Sequence, residues 1–184
     1  MRGMEGCVLI RPDEDWLPQI SAYRTAFLER GEHLHGAGSL ARQEDPADWL
    51  ADCRRMENPA LVPDQLVPAT QLMYVRPADG VLLGLVQVRH CLNDYLTAFA
   101  GHIGYSVHPE HRRQGVAKAM LGETLLWCHA MGLDRVLVTC GRENEGSRRT
   151  IWANGGVFDG ERWEPDDREW VERYWIETAC AEKK

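Results

Sequence analysis

The chain has 184 residues, with 21 Lys and Arg against 28 Asp and Glu and a formal net charge of −7. That length suits one domain spanning residues 1–184, and 44% hydrophobic with 27% charged residues excludes a fibrous or disordered chain. The acid excess argues against nucleic acid or an anionic membrane as partner, since both require a basic face. It suits a cationic substrate.

No apolar stretch, Val81–Val88 included, approaches the roughly 18 residues of a membrane span. The first eleven residues hold no apolar run long enough for a signal-peptide core, so the expected location is the cytoplasm. The six cysteines, at positions 7, 53, 91, 128, 140 and 180, include no C-x-x-C pair and mostly sit in apolar runs. In a reducing compartment they read as small buried hydrophobes. His108-x-x-His111 lies in a basic, Pro-containing turn without a Cys partner, so no metal site is expected.

In chain order, Cys7–Arg11 is a short apolar strand closed by Pro12. Asp13 or Asp15 caps a helix in which Leu17, Ile20, Tyr23, Ala26 and Phe27 recur at helical spacing up to Gly31. Residues 32–67 are rich in Gly and Pro and read as a long loop, a lid or acceptor wall. A second helix interrupts it at Pro46–Met56, capped by Asp45.

Leu72–Arg76 and Val81–Arg89 form a hairpin about Asp79-Gly80, and His102–Val107 is the next strand. Ala117, Met120, Leu121, Thr124, Leu125, Cys128 and Met131 form the apolar stripe of the best helix, ended by Gly132. Arg135–Cys140 is apolar in its middle, as in a strand covered on both faces. A helix at Asn144–Asn154 and strands at Val157–Asp159 and Trp170–Ile176 follow. This order predicts an α/β fold with a mixed, mostly antiparallel central sheet of about seven strands flanked by helices.

Arg112-Arg113-Gln114-Gly115-Val116-Ala117 joins a strand to the long helix. Strand, basic turn, Gly and helix start make an anion-binding arrangement, because helix N-terminal amides are unpaired and the macrodipole favours negative charge there. Gly115 lets a diphosphate approach bare backbone, while Arg112, Arg113 and Lys118 add charged donors. The plainer alternative is a basic turn that only caps a helix. Neither G-x-G-x-x-G nor G-x-x-x-x-G-K-[ST] occurs, which disfavours a nucleotide binder.

Arg112-x-x-Gly115-x-Ala117 resembles the R/Q-x-x-G-x-G/A signature of the GNAT superfamily of acyl-CoA N-acyltransferases. The element order, Val107-x-Pro109, Asn144-x-x-Ser147 and Gly155-Gly156-Val157 extend that resemblance over about residues 72–176. Arg89-His90-x-Leu92-Asn93, Gly101–Tyr105, Thr139-Cys140 and Arg173–Ile176 are similar to an uncharacterised bacterial branch of it.

The resemblance implies the GNAT fold and transfer of acetyl from acetyl-CoA to a primary amine of a small molecule or protein by direct attack. It implies no metal and is compatible with a homodimer. It places the pantetheine arm on the Val107 backbone and the pyrophosphate on the amides of Arg113, Gln114, Gly115, Val116, Ala117 and Lys118. Asn144 would bond the pantetheine or adenosine side.

Where many members carry a Tyr acid, seven residues after Asn144, this chain has Ile151. That difference keeps a non-catalytic acyl-CoA binding module as the alternative reading. Tyr105 is the substitute acid by chemistry, or else a packed strand aromatic. His102, three residues before Tyr105, is the first candidate base. His90 is the second, with Asn93 near enough in sequence to orient it. Each has the alternative of a half-buried histidine bonded to a backbone carbonyl. Glu143 and Asp94 are candidates to hold a cationic acceptor, or else solvated loop carboxylates. Trp163, Trp170 and Trp175 form either an acceptor wall or sheet packing.

Overall fold

The computed structural model describes residues 4–178. Seven strands form one sheet: β1 (Val8–Ile10), β2 (Ala69–Arg76), β3 (Val81–Arg89), β4 (Ile103–Val107), β5 (Arg135–Gly141), β6 (Val157–Glu164) and β7 (Glu169–Glu177). Their spatial order is β1-β2-β3-β4-β5-β7-β6, antiparallel everywhere except between β4 and β5. The helices are α1 (Leu17–Leu28), α2 (Pro46–Glu57), α3 (Val116–Ala130) and α4 (Glu145–Ala153).

Each face of the sheet holds one core. Ile20, Tyr23 and Phe27 of α1 and Trp49 and Leu50 of α2 pack on Met73, Val75, Leu82 and Leu85. Met120, Leu121, Leu125 and Cys128 of α3 and Ile151 of α4 pack on the other face, against Leu72, Val86, Val107, Val136 and Val138. Burying one such side chain contributes about 1.5–3 kcal/mol.

Three of the differences from the sequence expectation have a clear local cause. Asp13 caps a 3-10 turn at Glu14–Trp16, accepting from the Asp15 amide at 3.0 Å, so α1 starts one turn later. β6 runs on to Glu164 because it pairs with β7 as an exposed edge strand, where an apolar pattern is not required. Between β3 and β4 lies a wide turn, Leu96–Ala100, started by Asn93, whose Oδ1 accepts the Leu96 amide at 2.9 Å.

β4 and β5 pair at one position, Ile103 with Val138, and then diverge. The reason lies in the start of β4. The His102 amide donates to the Leu137 carbonyl at 2.7 Å, and His102 Nδ1 accepts the Leu137 amide at 2.9 Å. Beyond the Ile103–Val138 pair the two strands make no further pairing among the described residues. On the other side of β4, Arg89 donates to the His102 carbonyl and His108 to the Leu83 carbonyl. Ladder alternation therefore turns the backbone groups of Ile103, Tyr105 and Val107 toward the gap.

Candidate active site

The gap opens into a cleft of about 910 Å³. Its floor is Ile103–Tyr105 and Thr139–Gly141, and the 33–39 loop, the 96–100 turn and the β6–β7 hairpin supply its walls. Tyr105 and Ser147 meet across the gap, hydroxyl to hydroxyl at 2.7 Å. Burial pushes the Tyr105 phenol up to about 12. Asn144, on the same rim, caps α4: its Oδ1 accepts the Ser147 amide at 3.0 Å, while its Nδ2 makes no hydrogen bond among the described residues.

At the other end of β4 the chain turns into α3. Arg113 has φ 61° and Gly115 φ 84°; left-handed residues in a turn before a helix are the backbone from which an anion nest is built, and this turn is the candidate nest. Gly115 is the N-cap of α3 and provides no side-chain cap, so the first amides of α3 remain available. A Cβ on Gly115 would meet nothing within 4 Å; the residue is required by its φ, and the space before it is open. Arg113 and Lys118 form no ion pair among the described residues. These features suit a diphosphate.

Arg112 is held differently from its neighbours. Its Nε donates to the Val107 carbonyl at 3.2 Å, its guanidinium pairs with Glu32, and it lies 5.3 Å from the centre of the Phe27 ring. It braces the end of β4 against α1.

The two sequence-candidate bases both lie off the cleft. His102 is buried in the clamp described above, and burial, with Arg89 nearby, lowers its pKa to about 4. His90 Nε2 bonds Thr70 Oγ1 at 2.9 Å, and burial lowers its pKa as well. Asn93 is engaged with Leu96 and Gln65 and makes no bond to His90.

His35, which the sequence did not single out, does line the cleft. It sits on a loop held by Gln71 Nε2 to the Gly36 carbonyl at 2.8 Å and Trp49 Nε1 to the Ala37 carbonyl at 2.7 Å. Gly36 lies so close to β4 that a Cβ there would overlap the Gly104 carbonyl. His35 is thereby fixed beside the floor of the gap. Desolvation, then the neighbouring His33, lower its pKa; Glu169 and Asp167 act in the opposite direction.

Carboxylates also come from an unexpected segment. Glu164, Asp167 and Glu169 line the cleft, while Glu143 and Asp94 do not. Glu164 is 2% exposed, and its Oε2 accepts the Asp167 amide at 2.6 Å. The three make no salt bridge among the described residues. Trp163 and Trp170 pair edge to face at 5.8 Å, and Trp175 carries Arg135 at 4.3 Å from its ring centre. None of the three Trp lines the cleft.

Among the described residues no group of three or more His, Cys, Asp or Glu is placed to hold a metal, and no helix is long and apolar enough to cross a membrane. Cys7, Cys53, Cys91, Cys128 and Cys140 are free thiols; Cys180 lies outside the described residues.

A parallel pair of strands splayed after one contact, with an anion nest where the first of them enters a helix, defines an acyltransferase architecture. The acetyltransferase (GNAT) family model matches residues 37–151, and the chain belongs to that family. No curated protein sequence matches.

Among solved structures, the ribosomal-protein-S5-alanine acetyltransferase from Vibrio fischeri superimposes with a TM-score of 0.73 at 18% identity, covering 96% of each chain. RimJ from Mycobacterium smegmatis, in complex with CoA-disulfide, gives 0.68 at 20% identity over 96% of this chain and 84% of its own. The microcin C7 self-immunity acetyltransferase MccE, in complex with acetyl-CoA and AMP, gives 0.67 at 13% identity over 94% and 93%. These likenesses establish the seven-stranded acetyltransferase fold.

Proposed function

We propose that this acetyltransferase, a single cytoplasmic domain, takes acetyl from acetyl-CoA and passes it to a primary amine bound in the 910 Å³ cleft. The observation that carries this reading is the splaying of β4 from β5. β4 and β5 pair only at Ile103 and Val138, and β4 lies along that gap with its first residues on the floor of a cleft lined with titratable groups and its far end running into the anion nest at α3.

In this reading the amides of Arg113, Gln114, Gly115, Val116, Ala117 and Lys118 take the pyrophosphate, with Arg113 and Lys118 adding charge. The free Val107 amide pairs with the pantetheine arm as a neighbouring strand would. Asn144 Nδ2 donates to the same arm. Arg112 keeps β4 in place.

The ammonium of the acceptor must lose a proton before it attacks. His35 takes that proton, since a histidine held below its ordinary value is neutral near pH 7. Glu169 and Asp167 then stabilise the imidazolium. The amine nitrogen bonds to the thioester carbon, the carbon–sulfur bond breaks to leave a thiolate, and the nitrogen gives its second proton to solvent.

Tyr105 donates a hydrogen bond to that thiolate. A phenol near 12 retains its proton against a thiolate of ordinary basicity, about 8.5. It therefore stabilises charge, and the thiolate takes its proton from solvent. His102 and His90 are positioning residues of the sheet in this scheme.

Burial of Ile151, the position of the family Tyr, favours the second reading of a non-catalytic acyl-CoA module. Mixing the protein with acetyl-CoA and a panel of primary amines separates the two. Amine-dependent release of CoA thiol is expected; binding of CoA without any release supports the module instead.

A further inference from the structure

Arg89 is one of the charges in the cleft that the scheme above does not use, beside Arg42, Asp52, Arg55 and Glu164. It leaves β3 on the face of α1 and α2 and lines the cleft. Its Nη1 donates to the carbonyls of Ala100 and Gly101, both at 3.1 Å. Those two bonds fix the plane of the guanidinium. Nε and Nη2 make no hydrogen bond among the described residues, and no carboxylate pairs with the group.

The unused edge of this guanidinium lies near the floor of the gap. Nη2 is 3.6 Å from where a Cβ of Gly104 would stand, and Gly104 is on the floor of the gap. Gly36 of the 33–39 loop approaches the same point at 3.3 Å, so the guanidinium lines the cleft where that loop meets its floor. The carboxylates of Glu164, Asp167 and Glu169 occupy another wall, on the hairpin beyond β5.

An unpaired, largely desolvated guanidinium is costly to keep unless a ligand completes it. Its free Nε and Nη2 form the planar fork that matches a carboxylate with two parallel bonds. We propose that Arg89 binds the carboxylate of the acceptor, and that the acceptor is an amino acid.

This inference rests on the acetyl-transfer reading and adds the substrate class. The nearness of Arg89 to Gly104 places the bound carboxylate close to the attacking nitrogen, as in an α- or β-amino acid. The opposed charges orient such a zwitterion across the gap, with the carboxylate on Arg89 and the ammonium toward Glu169, Asp167 and His35. A carboxylate-free amine would leave the fork unpaired.

The test compares free amino acids with their own carboxamides as acceptors, across acidic, neutral and basic side chains, following CoA thiol release. At least one acid is expected to exceed its carboxamide about tenfold or more in kcat/KM, mainly through KM, as the loss of a charged hydrogen-bond pair implies. Arg89→Gln is expected to bring that ratio to within about twofold. Arg89→Lys, which keeps the charge but loses the fork, is expected to give an intermediate ratio, and it carries the test if the Gln variant does not fold.

A wild type that treats acid and carboxamide alike overturns the proposal. So does a variant that keeps the preference, or one that lowers both rates by the same factor, which would assign Arg89 to the reacting carbonyl or to the fold. Calorimetric titration with CoA separates the two levels. Protein that binds CoA and acetylates only carboxylate-free amines overturns the amino-acid assignment alone. Protein that neither binds CoA nor releases thiol overturns the acetyl-transfer reading as well.

Discussion

His102 and Leu137 are joined twice: the His102 amide donates to the Leu137 carbonyl at 2.7 Å, and the Leu137 amide donates to His102 Nδ1 at 2.9 Å. The imidazole thus does the work of a backbone carbonyl, at the last point before β4 and β5 separate. A bond that requires a bare ring nitrogen excludes a proton at Nδ1, in line with a pKa lowered to about 4 by burial and Arg89.

Two consequences of that clamp are measurable. His102→Asn offers an oxygen near the same place and should cost little, whereas His102→Leu leaves the buried Leu137 amide without a partner, at about 1–3 kcal/mol. Chemical denaturation of both variants reads the difference. Equal stabilities would remove the clamp from the account.

The pH dependence follows from the same pair. Unfolded, this histidine binds a proton near pH 6.5; folded, it does so only near 4. The unfolded state therefore holds more protons between those values, so the stabilising contribution is complete above about 6.5 and falls as pH drops toward 4, by about 3 kcal/mol in all. Relative to His102→Asn, which has no titrating group at this place, the wild type should lose stability by that order over the same window, so that the variant becomes the more stable of the two at low pH.

Gly115 is a test of the nest. Nothing stands within 4 Å of its Cβ position, so a larger side chain has room, and only φ 84° opposes it. Gly115→Ala should cost about 1–2 kcal/mol of stability. Gly115→Glu adds a carboxylate where the diphosphate must lie and should lower CoA affinity by about tenfold or more while the protein remains folded. Calorimetric titration of both variants, with melting as control, decides it; wild-type affinity in the Glu variant would move the diphosphate elsewhere.

Gly36 differs, because backbone occupies its Cβ position. A methyl group there would overlap the Gly104 carbonyl, and φ is 67°. Gly36→Ala must lift the loop from β4, at about 2–4 kcal/mol, and carry His35 away from the gap. Thermal melting and thiol release should fall together. A variant with full activity would show that the loop is not what positions the acceptor.

The parts of this site that local rules govern were legible in the sequence. Gly115 after a basic turn, the apolar stripe of α3 from Met120 to Cys128 and Asn144 before α4 are short-range patterns that stand where the sequence placed them, while Met131, expected to continue the stripe, follows the helix and is exposed. What the sequence does not carry is the direction of a side chain relative to a distant strand. His102 and Tyr105 are three residues apart and point to opposite faces of the sheet, so one is sealed in a clamp and the other reaches Ser147. His35, Glu164 and Arg89 are remote in sequence and meet only because the 33–39 loop, the β6–β7 hairpin and β3 end around one gap. The signal that was available for His35 was its neighbour: Gly36 and Gly38 mark a segment that has to approach something closely.

The assignment of His35 as proton acceptor makes a signed prediction. With an active amine in hand, kcat/KM of the wild type should fall as pH drops through a value below 6.5, because protonation removes the free imidazole nitrogen. His35→Gln should lack that limb and lose about 100-fold or more in rate at neutral pH, while its affinity for CoA, measured by calorimetry, stays close to that of the wild type. The neighbours set the direction in which the limb moves. His33 lowers the His35 value, so His33→Gln should shift the limb to higher pH; Glu169 raises it, so Glu169→Gln should shift it lower. Opposite movements in the two variants are not expected from a residue that only supports the loop. A His35→Gln enzyme that retains both its rate and its acid limb would exclude the assignment, and the proton would then have to leave through solvent.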